Sequence, residues 1–178
     1  MLTSLRFWRL GVLVLSMILV GGMMGFAAAG GTPPETRSGT TIKAVKIVRS
    51  ATGGIVDLGL TSPAVVTTTT MSVPANTKAI LLITFSAETA CYDANGSCVL
   101  NILVDDGAAL PEDFGFNFDS SDLGEEGPTS WESHSIQRST NVLTAGTHTI
   151  TVQFLNGGSG NTISWDDWQL TIERILKP

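Results

Sequence analysis

Apolar and polar residues alternate along several short stretches of this chain, most regularly in GTHTITVQF at residues 146–154. Side chains of an extended strand point to opposite faces in turn. His148, Ile150 and two further apolar residues therefore share one face, whereas three threonines and a glutamine share the other. This pattern predicts a half-buried antiparallel strand with a solvated row of threonines.

Similar β-branched or alternating runs recur along the chain, separated by Gly, Pro, Asn and Asp, and no helical period of useful length is found. Residues 78–85 are apolar on both faces, which predicts a central strand covered on both sides. The chain is therefore expected to be all-β, forming an antiparallel, jelly-roll-like β-sandwich of about eight strands. The other predicted strands are residues 41–48, 53–60, 64–73, 98–104, 114–118, 133–143 and 162–175.

The last predicted strand contains two tryptophans around two aspartates, in SWDDWQL at residues 164–170. Trp165 and Ile163 are odd-numbered, whereas Trp168 and the apolar residues after it are even-numbered. A regular strand would direct these two groups to opposite faces. One extra residue at 166–167 would bring them to the same face, so we predict a β-bulge there. Both tryptophans should then lie largely in the core, with at least one aspartate turned outward.

The N-terminal segment has a different pattern from the rest of the chain. It begins with two arginines and no acid, continues with an apolar run and ends in Ala-x-Ala. This order is typical of a secretory signal peptide, cleaved here after Ala29. The alternative is an uncleaved membrane anchor, because residues 10–29 are just long enough to span a bilayer. The predicted segments are a signal peptide at 1–29, a flexible linker at 30–40 and the β-sandwich at 41–178.

Cys91 and Cys98 are the two cysteines of the chain, and Asp, Asn and Gly lie between them. An even cysteine count in an exported chain predicts a disulfide. Because the flanking residues are predicted strands, we expect the bond to close the tip of a β-hairpin. Its stabilisation would be about 2–3 kcal/mol in the chain-entropy model.

The charge of the chain limits the partners that it is expected to bind. The formal net charge is −6, and removal of residues 1–29 takes away two arginines and no acid, which leaves −8. Such a surface repels nucleic acid and anionic membranes. We expect no nucleic-acid partner, and a membrane association only if the N-terminal segment is not cleaved.

Catalytic motifs are sparse in this sequence. There is no Gly-x-Ser-x-Gly elbow and no phosphate-binding loop, so we predict that the protein is not an enzyme. The two histidines, His134 and His148, each precede an isoleucine by two residues. They could form a metal pair or a base, but histidines at the margin of the core are the favoured interpretation.

An acidic loop is a second candidate metal site in the sequence. Asp119, Asp122, Glu125 and Glu126 supply the carboxylates that hard cations prefer, so Ca²⁺ is the ion considered. Their spacing does not match an EF-hand, and a solvated acidic loop without a cofactor is the favoured interpretation.

Aromatic side chains are the candidate ligand-binding residues, because carbohydrate-binding sandwiches stack sugars on exposed aromatic rings. Aromatic residues in strands are more often part of the core. Trp131 is the strongest candidate, because it follows the polar loop GEEGPTS. The full set of candidates is Tyr92, Trp131, Trp165 and Trp168.

Three segments resemble the jelly-roll heads of the complement C1q and tumour necrosis factor superfamily. They are MSVPANTKAILLITFSA at 71–87, LNILVDDGAALP at 100–111 and NVLTAGTHTITVQF at 141–154. This resemblance implies a jelly-roll topology and a self-assembling head. The last two predicted strands, AGTHTITVQF and ISWDDWQL, are also similar to the end of β-sandwich carbohydrate-binding modules, which implies a glycan ligand.

Together these features predict a secreted, non-catalytic domain that recognises a carbohydrate or another cell-surface ligand. The alternative is a structural or protein-interaction head of the C1q-like type. The sequence leaves the oligomeric state and the identity of the ligand open.

Overall fold

The computed structural model describes residues 41–59, 63–93, 96–111, 115–121, 125–156 and 160–177. The predicted signal peptide and linker lie outside the described residues, as does Asp122. Across the described ranges, no helix has the length and apolarity needed to cross a membrane. The described residues form ten β-strands: β1 Thr41–Ser50, β2 Gly54–Asp57, β3 Ala64–Val73, β4 Lys78–Tyr92, β5 Ser97–Val104, β6 Gly107–Ala108, β7 Phe116–Ser120, β8 Glu132–Ser139, β9 Gly146–Asn156 and β10 Thr162–Lys177.

The strands form two antiparallel sheets that pack face to face. Sheet A has the order β1-β10-β4-β8, and β2 also pairs with β10. Sheet B has the order β3-β9-β5-β6, and β7 also pairs with β5. Because β1 and β2 share one edge of β10, and β6 and β7 share one edge of β5, the ten strands occupy eight positions. The predicted jelly-roll-like β-sandwich of about eight strands is confirmed.

The core lies between the two sheets and is built from alternate residues of the central strands. Ile83 and Phe85 of β4 face Ile150 and Phe154 of β9, and all four are fully buried. Each such side chain contributes about 1.5–3 kcal/mol by leaving water. Strand β4 is central, as predicted, but the expectation that both faces are covered is wrong. Leu82, Thr84 and Ser86 on the outward face are only half-buried, because a two-layer sandwich covers one face of each sheet.

Strand β9 has the alternation that the sequence predicts. His148, Ile150, Val152 and Phe154 are buried, whereas the threonines between them are exposed or half-buried. The threonine row continues on the neighbouring strand β3, and the hydroxyls of Thr68 and Thr151 lie 3.3 Å apart across the pair. The predicted half-buried strand with a polar outer row is confirmed.

The predicted bulge in β10 is also confirmed. The pairing with β4 passes from Asp166 opposite Glu88 directly to Gln169 opposite Ser86, and Asp167 has a φ of 43°. Trp168 is buried and Trp165 packs against the core, while Asp167 points outward. The bulge therefore keeps both apolar groups of the last strand on the inner face.

The disulfide between Cys91 and Cys98 is present, with both residues fully buried, but the hairpin expected around it is wrong. Strand β4 pairs with β10 and β8 in sheet A, whereas β5 pairs with β9, β6 and β7 in sheet B. The bond therefore links the two sheets at one end of the sandwich. Consecutive strands of a jelly roll cross from sheet to sheet, which a local pattern of alternation does not reveal.

Candidate functional site

Three polar side chains meet at the end of the sandwich where β7 of sheet B approaches β8 of sheet A. They are Asp119, Glu132 and His134, and their candidate ligand atoms all lie within 4.8 Å of one another. We call this group the β7–β8 cluster. It lies at the same end as the disulfide, because Asp119 pairs with Cys98 across the β5–β7 ladder.

Strand β8 positions two members of the cluster by simple alternation. Glu132 and His134 are two residues apart, so both point to the same face. They pair with Thr89 and Ala87 of β4, whose side chains are buried. Glu132 and His134 therefore point to the interior side of sheet A, at its open end.

A β-bulge in β7 positions the third member. Asn117 pairs with Val99 and Asp119 pairs with Cys98, so Phe118 is the extra residue between them. Phe118 and Asp119 are both buried as a result, although they are neighbours in sequence. Phe116, at the start of the strand, is exposed, whereas Phe118 is in the core. Bulges commonly direct side chains in this way near functional sites.

The imidazole of His134 lies between the two carboxylates. Its Nε2 atom is 3.3 Å from Oε2 of Glu132 and 3.6 Å from Oδ1 of Asp119. The side chain of Asp119 is only 2% exposed, compared with 27% for His134 and 54% for Glu132. The cluster therefore has a buried floor formed by Asp119 and a rim open to solvent at Glu132.

The hydrogen bonding of the β7–β8 cluster is incomplete. Oδ1 of Asp119 accepts a hydrogen bond from the Ser120 amide at 2.7 Å, but Oδ2 has no partner among the described residues. Nε2 of His134 and Oγ1 of Thr89 are likewise buried without a hydrogen-bond partner in the described part of the chain. An unsatisfied buried polar group costs about 1–3 kcal/mol, and a charged one more. Buried polar atoms without a partner are uncommon in folded proteins, so several of them in one place make the cluster a candidate ligand site.

An aromatic ring packs against one side of His134. The ring centroid of Phe118 is 5.5 Å from that of His134, and Phe118 also packs against Phe85 and Phe154 in the core. Because these core rings are closely packed, they restrict the rotation of the imidazole. Phe118 therefore limits the positions of the imidazole on its buried side.

The four aromatic candidates for ligand binding differ in exposure. Trp131, directly before β8, is 45% exposed, whereas Trp168 is 8% and Tyr92 is 6% exposed. The hydroxyl of Tyr92 lies 3.3 Å from that of Ser164. Trp165 is half-buried against Phe154, with ring centroids 5.5 Å apart. Among the four candidates, Trp131 presents the most accessible ring, and it adjoins the β7–β8 cluster in sequence.

The acidic loop that was considered as a candidate calcium site does not stay together in the structure. Asp119 is buried in the β7–β8 cluster, Glu125 is exposed and Glu126 is half-buried. Within the described residues, Asp119 is grouped with Glu132 and His134 rather than with the two loop glutamates. Glu132 is not among the candidates that the sequence indicates, and the metal pair considered for His134 joined it to His148 rather than to Glu132 and Asp119. The signal available was Glu-Ser-His at the start of a strand, which places both side chains on one face.

The other histidine forms a different kind of contact at the opposite end of β5. Nδ1 of His148 lies 2.6 Å from Oδ2 of Asp105, and Nε2 lies 2.9 Å from the carbonyl oxygen of Thr144. Oδ1 of Asp105 also accepts a hydrogen bond from the Thr149 amide at 2.8 Å. We call this group the β5–β9 clamp. Both imidazole nitrogens face acceptors, which is the arrangement that a protonated imidazole requires.

The two charged groups of the clamp have shifted pKa values. Burial alone lowers the pKa of His148, but the hydrogen bonds to Asp105 and Thr144 and the carboxylate charge outweigh it and raise the pKa. Burial likewise raises the pKa of Asp105, but hydrogen bonds with His148 and Thr149 and the imidazole charge give a net lowering. Each partner therefore favours the charged form of the other.

Comparison with known proteins leaves the function of this site open. No protein-family model and no curated protein match the chain. Among solved structures, the chain is similar to dimeric latent PorU from Porphyromonas gingivalis, with a TM-score of 0.46 and 12% sequence identity. The similarity covers 79% of this chain and 14% of the PorU chain. At this level, the similarity carries no argument about function.

Proposed function

We propose that this protein is an exported, non-catalytic β-sandwich domain that binds a ligand outside the cytoplasm. The observation that carries the proposal is the exposure of Trp131 directly before β8, where it precedes Glu132 of the β7–β8 cluster in sequence. An exposed tryptophan beside polar side chains combines an apolar ring face with hydrogen-bonding groups. The contact surface is therefore the end of the sandwich where β8 begins.

Export is supported by two independent features of the chain. The N-terminal pattern of arginines, apolar residues and Ala-x-Ala is typical of a secretory signal peptide. The buried disulfide is of the kind that persists in oxidising compartments. Mass spectrometry of the exported protein tests this part of the proposal, with a mature chain beginning at Gly30 as the expected result. A chain that retains its first 29 residues would indicate the membrane anchor instead.

A carbohydrate is the ligand class that these features favour. Sugars present C–H faces that stack on indole rings and hydroxyls that hydrogen-bond to carboxylates. Trp131 and the neighbouring Glu132 are both substantially exposed and supply these two types of contact. The acidic surface of the chain disfavours anionic ligands, so a neutral or cationic glycan is the expected partner.

A glycan array followed by titration with the best ligand tests this proposal. We expect binding to change the tryptophan fluorescence, and Trp131→Ala to abolish both the change and the affinity. Phe116→Ala is the matched control, because it removes another exposed aromatic ring and should leave binding intact. Absence of binding across polysaccharides, or unchanged binding by Trp131→Ala, would contradict the proposal.

A self-assembling head is the second candidate, and a separate observation favours it. Val45, Ile47 and Ile55 are each more than half exposed. Their pairing with β10 places all three on the outer face of sheet A, along one edge. An apolar row of this kind can pack against another copy of the chain. Size-exclusion chromatography with light scattering distinguishes the candidates: an assembling head elutes as a trimer that Ile47→Lys dissociates, regardless of added sugar.

A further inference from the structure

We propose that the β7–β8 cluster binds a divalent transition-metal ion of the zinc class, through Asp119, Glu132 and His134. This inference goes beyond ligand recognition at Trp131, and it can be tested without any glycan. It also differs from the calcium site considered from the sequence, because two of its three ligands lie on β8 rather than in the acidic loop.

The spacing of the ligand atoms fits a tetrahedral metal site. Bonds of about 2.0–2.1 Å from zinc to nitrogen or oxygen place tetrahedral ligand atoms about 3.3–3.4 Å apart. Nε2 of His134 lies 3.3 Å from Oε2 of Glu132 and 3.6 Å from Oδ1 of Asp119. The candidate ligand atoms of all three residues lie within 4.8 Å of one another, so the two carboxylates need to move closer together for all three groups to reach bonding distance of one ion.

The buried carboxylate is the second observation that points to a cation. Asp119 is almost completely buried, and its Oδ2 atom has no hydrogen-bond partner in the described ranges. The other oxygen, Oδ1, lies 3.6 Å from Nε2 of His134 and also accepts a hydrogen bond from the Ser120 amide, which orients the carboxylate as outer-shell partners orient metal ligands. A metal ion would compensate the cost of burying this charge.

An ion pair with a protonated His134 is the competing explanation of the cluster. A protonated imidazole would direct its N–H along a hydrogen bond to one carboxylate. Instead, Nε2 is shared between two carboxylates and forms a hydrogen bond with neither. In the β5–β9 clamp, by contrast, the 2.6 Å contact between His148 and Asp105 has the geometry of a hydrogen bond. The geometry of the β7–β8 cluster is therefore better explained by a cation between the three groups.

The donor set selects the kind of metal. One imidazole nitrogen and two carboxylates suit zinc and similar ions, whereas calcium and magnesium prefer oxygen ligands alone. Three protein ligands leave a fourth position for water or for an oxygen atom of a bound molecule. Glu132 lies at the solvent-exposed rim of the cluster, directly after Trp131, so this position is near the proposed contact surface.

Calorimetric titration of the untagged, metal-stripped chain with Zn²⁺ tests the inference, together with metal analysis after dialysis. An untagged chain is required because a histidine tag would bind zinc itself. We expect one ion per chain and a raised melting temperature. His134→Gln and Glu132→Gln should each weaken binding by at least about 100-fold, since even outer-shell partners contribute 10–100-fold.

Glu88→Gln is the matched control, because Glu88 is an exposed acid on the outer face of the neighbouring strand β4. It should bind zinc as tightly as the unchanged chain. The inference is overturned if the folded chain binds no zinc at micromolar concentrations, or if His134→Gln binds it equally well. Preferential binding of calcium would overturn it as well. Glycan binding is tested with Trp131→Ala, which removes none of the three proposed zinc ligands, so the two proposals can fail independently.

Discussion

Both histidines of this chain lie beside carboxylates, but only one of them forms a hydrogen bond to its carboxylate. In the β5–β9 clamp, His148 and Asp105 form a short hydrogen bond, and the remaining nitrogen of the ring faces a carbonyl oxygen. In the β7–β8 cluster, His134 faces two carboxylates without forming a hydrogen bond to either. The groups lie at opposite ends of β5, about 20 Å apart at about 3.3 Å per residue.

This difference distinguishes the β5–β9 clamp, which stabilises the fold, from the β7–β8 cluster, which is a candidate ligand site. A hydrogen-bonded, oppositely charged pair lowers the free energy of the folded state and needs no further partner. A buried carboxylate with an unsatisfied oxygen raises that free energy unless a cation compensates it. Proteins retain such costs mainly at functional positions. The clamp is therefore a stabilising contact that is complete in itself, and the cluster is the candidate ligand site.

Replacing each histidine by glutamine should give the largest difference between the β7–β8 cluster and the β5–β9 clamp. His134→Gln is expected to lose at least about 100-fold in zinc affinity, which corresponds to about 2.8 kcal/mol. His148→Gln should keep the zinc affinity but lose about 1–2 kcal/mol of stability, because a charge-assisted hydrogen bond is removed. Zinc titrations and urea denaturation of both variants measure the contrast. Equal effects of the two substitutions on zinc binding would contradict it.

Removal of the disulfide should affect the cluster end of the sandwich. The double variant Cys91→Ala/Cys98→Ala is expected to lose about 2–3 kcal/mol of unfolding free energy in the chain-entropy model. Its zinc affinity should also fall, because Cys98 pairs with Asp119 and the bond holds the two sheets together there. Denaturation and zinc titration under non-reducing conditions test both effects. Unchanged zinc affinity in a destabilised variant would show that the ligands are positioned without the bond.

Neutralising the two aspartates should change stability in opposite directions when no metal is present. Asp105→Asn removes a charge that His148 and the Thr149 amide both use, and it should cost about 1–2 kcal/mol. Asp119→Asn removes a buried charge while keeping an oxygen for the Ser120 amide, and it should gain about 1 kcal/mol. Chemical denaturation in the presence of a chelator measures both. A loss of stability in both variants would mean that Asp119 is already compensated.

The clamp should also give a small pH dependence of stability. The folded-state pKa of His148 is raised above 6.5, so its contribution is complete below pH 6.5 and is lost as the pH rises through the raised value. The folded-state pKa of Asp105 is lowered below 3.8, so its contribution is present above pH 3.8 and is lost as the pH falls through the lowered value. The effect should stay below about 1 kcal/mol, because solvent screens the half-exposed Asp105.

Denaturation of the unchanged chain and of His148→Gln across this pH range isolates the contribution of the clamp. The stability difference between the two should be largest between pH 3.8 and 6.5 and should decline above that window. A difference that grows toward alkaline pH would contradict the assignment of a charged imidazole to His148.

Features that depend on neighbouring residues could be predicted from the sequence. The alternation of β9 and the bulge between Trp165 and Trp168 follow from counting odd and even positions, because adjacent side chains of a strand point to opposite faces. The disulfide followed from there being only two cysteines. The absence of a helical period similarly led to the correct fold class. Each of these predictions needed only local geometry or composition.

The β7–β8 cluster could not be predicted in the same way. Its members come from strands of different sheets, and Asp119 points inward only because Phe118 forms a bulge. The apparent alternation of this segment would have turned Asp119 outward, as part of a solvated loop. Glu132 and His134 were two residues apart on one predicted strand, but nothing in the sequence indicated which carboxylate would face them.

The amino-acid sequence by itself therefore determined the strands, the inward face of most of them and the covalent link between Cys91 and Cys98. Tertiary structure alone decided that β4 and β5 lie in different sheets, that the disulfide joins those sheets, and that Asp119 meets His134. The physical reason is the range of the interactions. Side-chain alternation is set by the backbone of a single strand, whereas strand pairing and sheet packing depend on hydrogen bonds and apolar contacts between residues far apart in the chain.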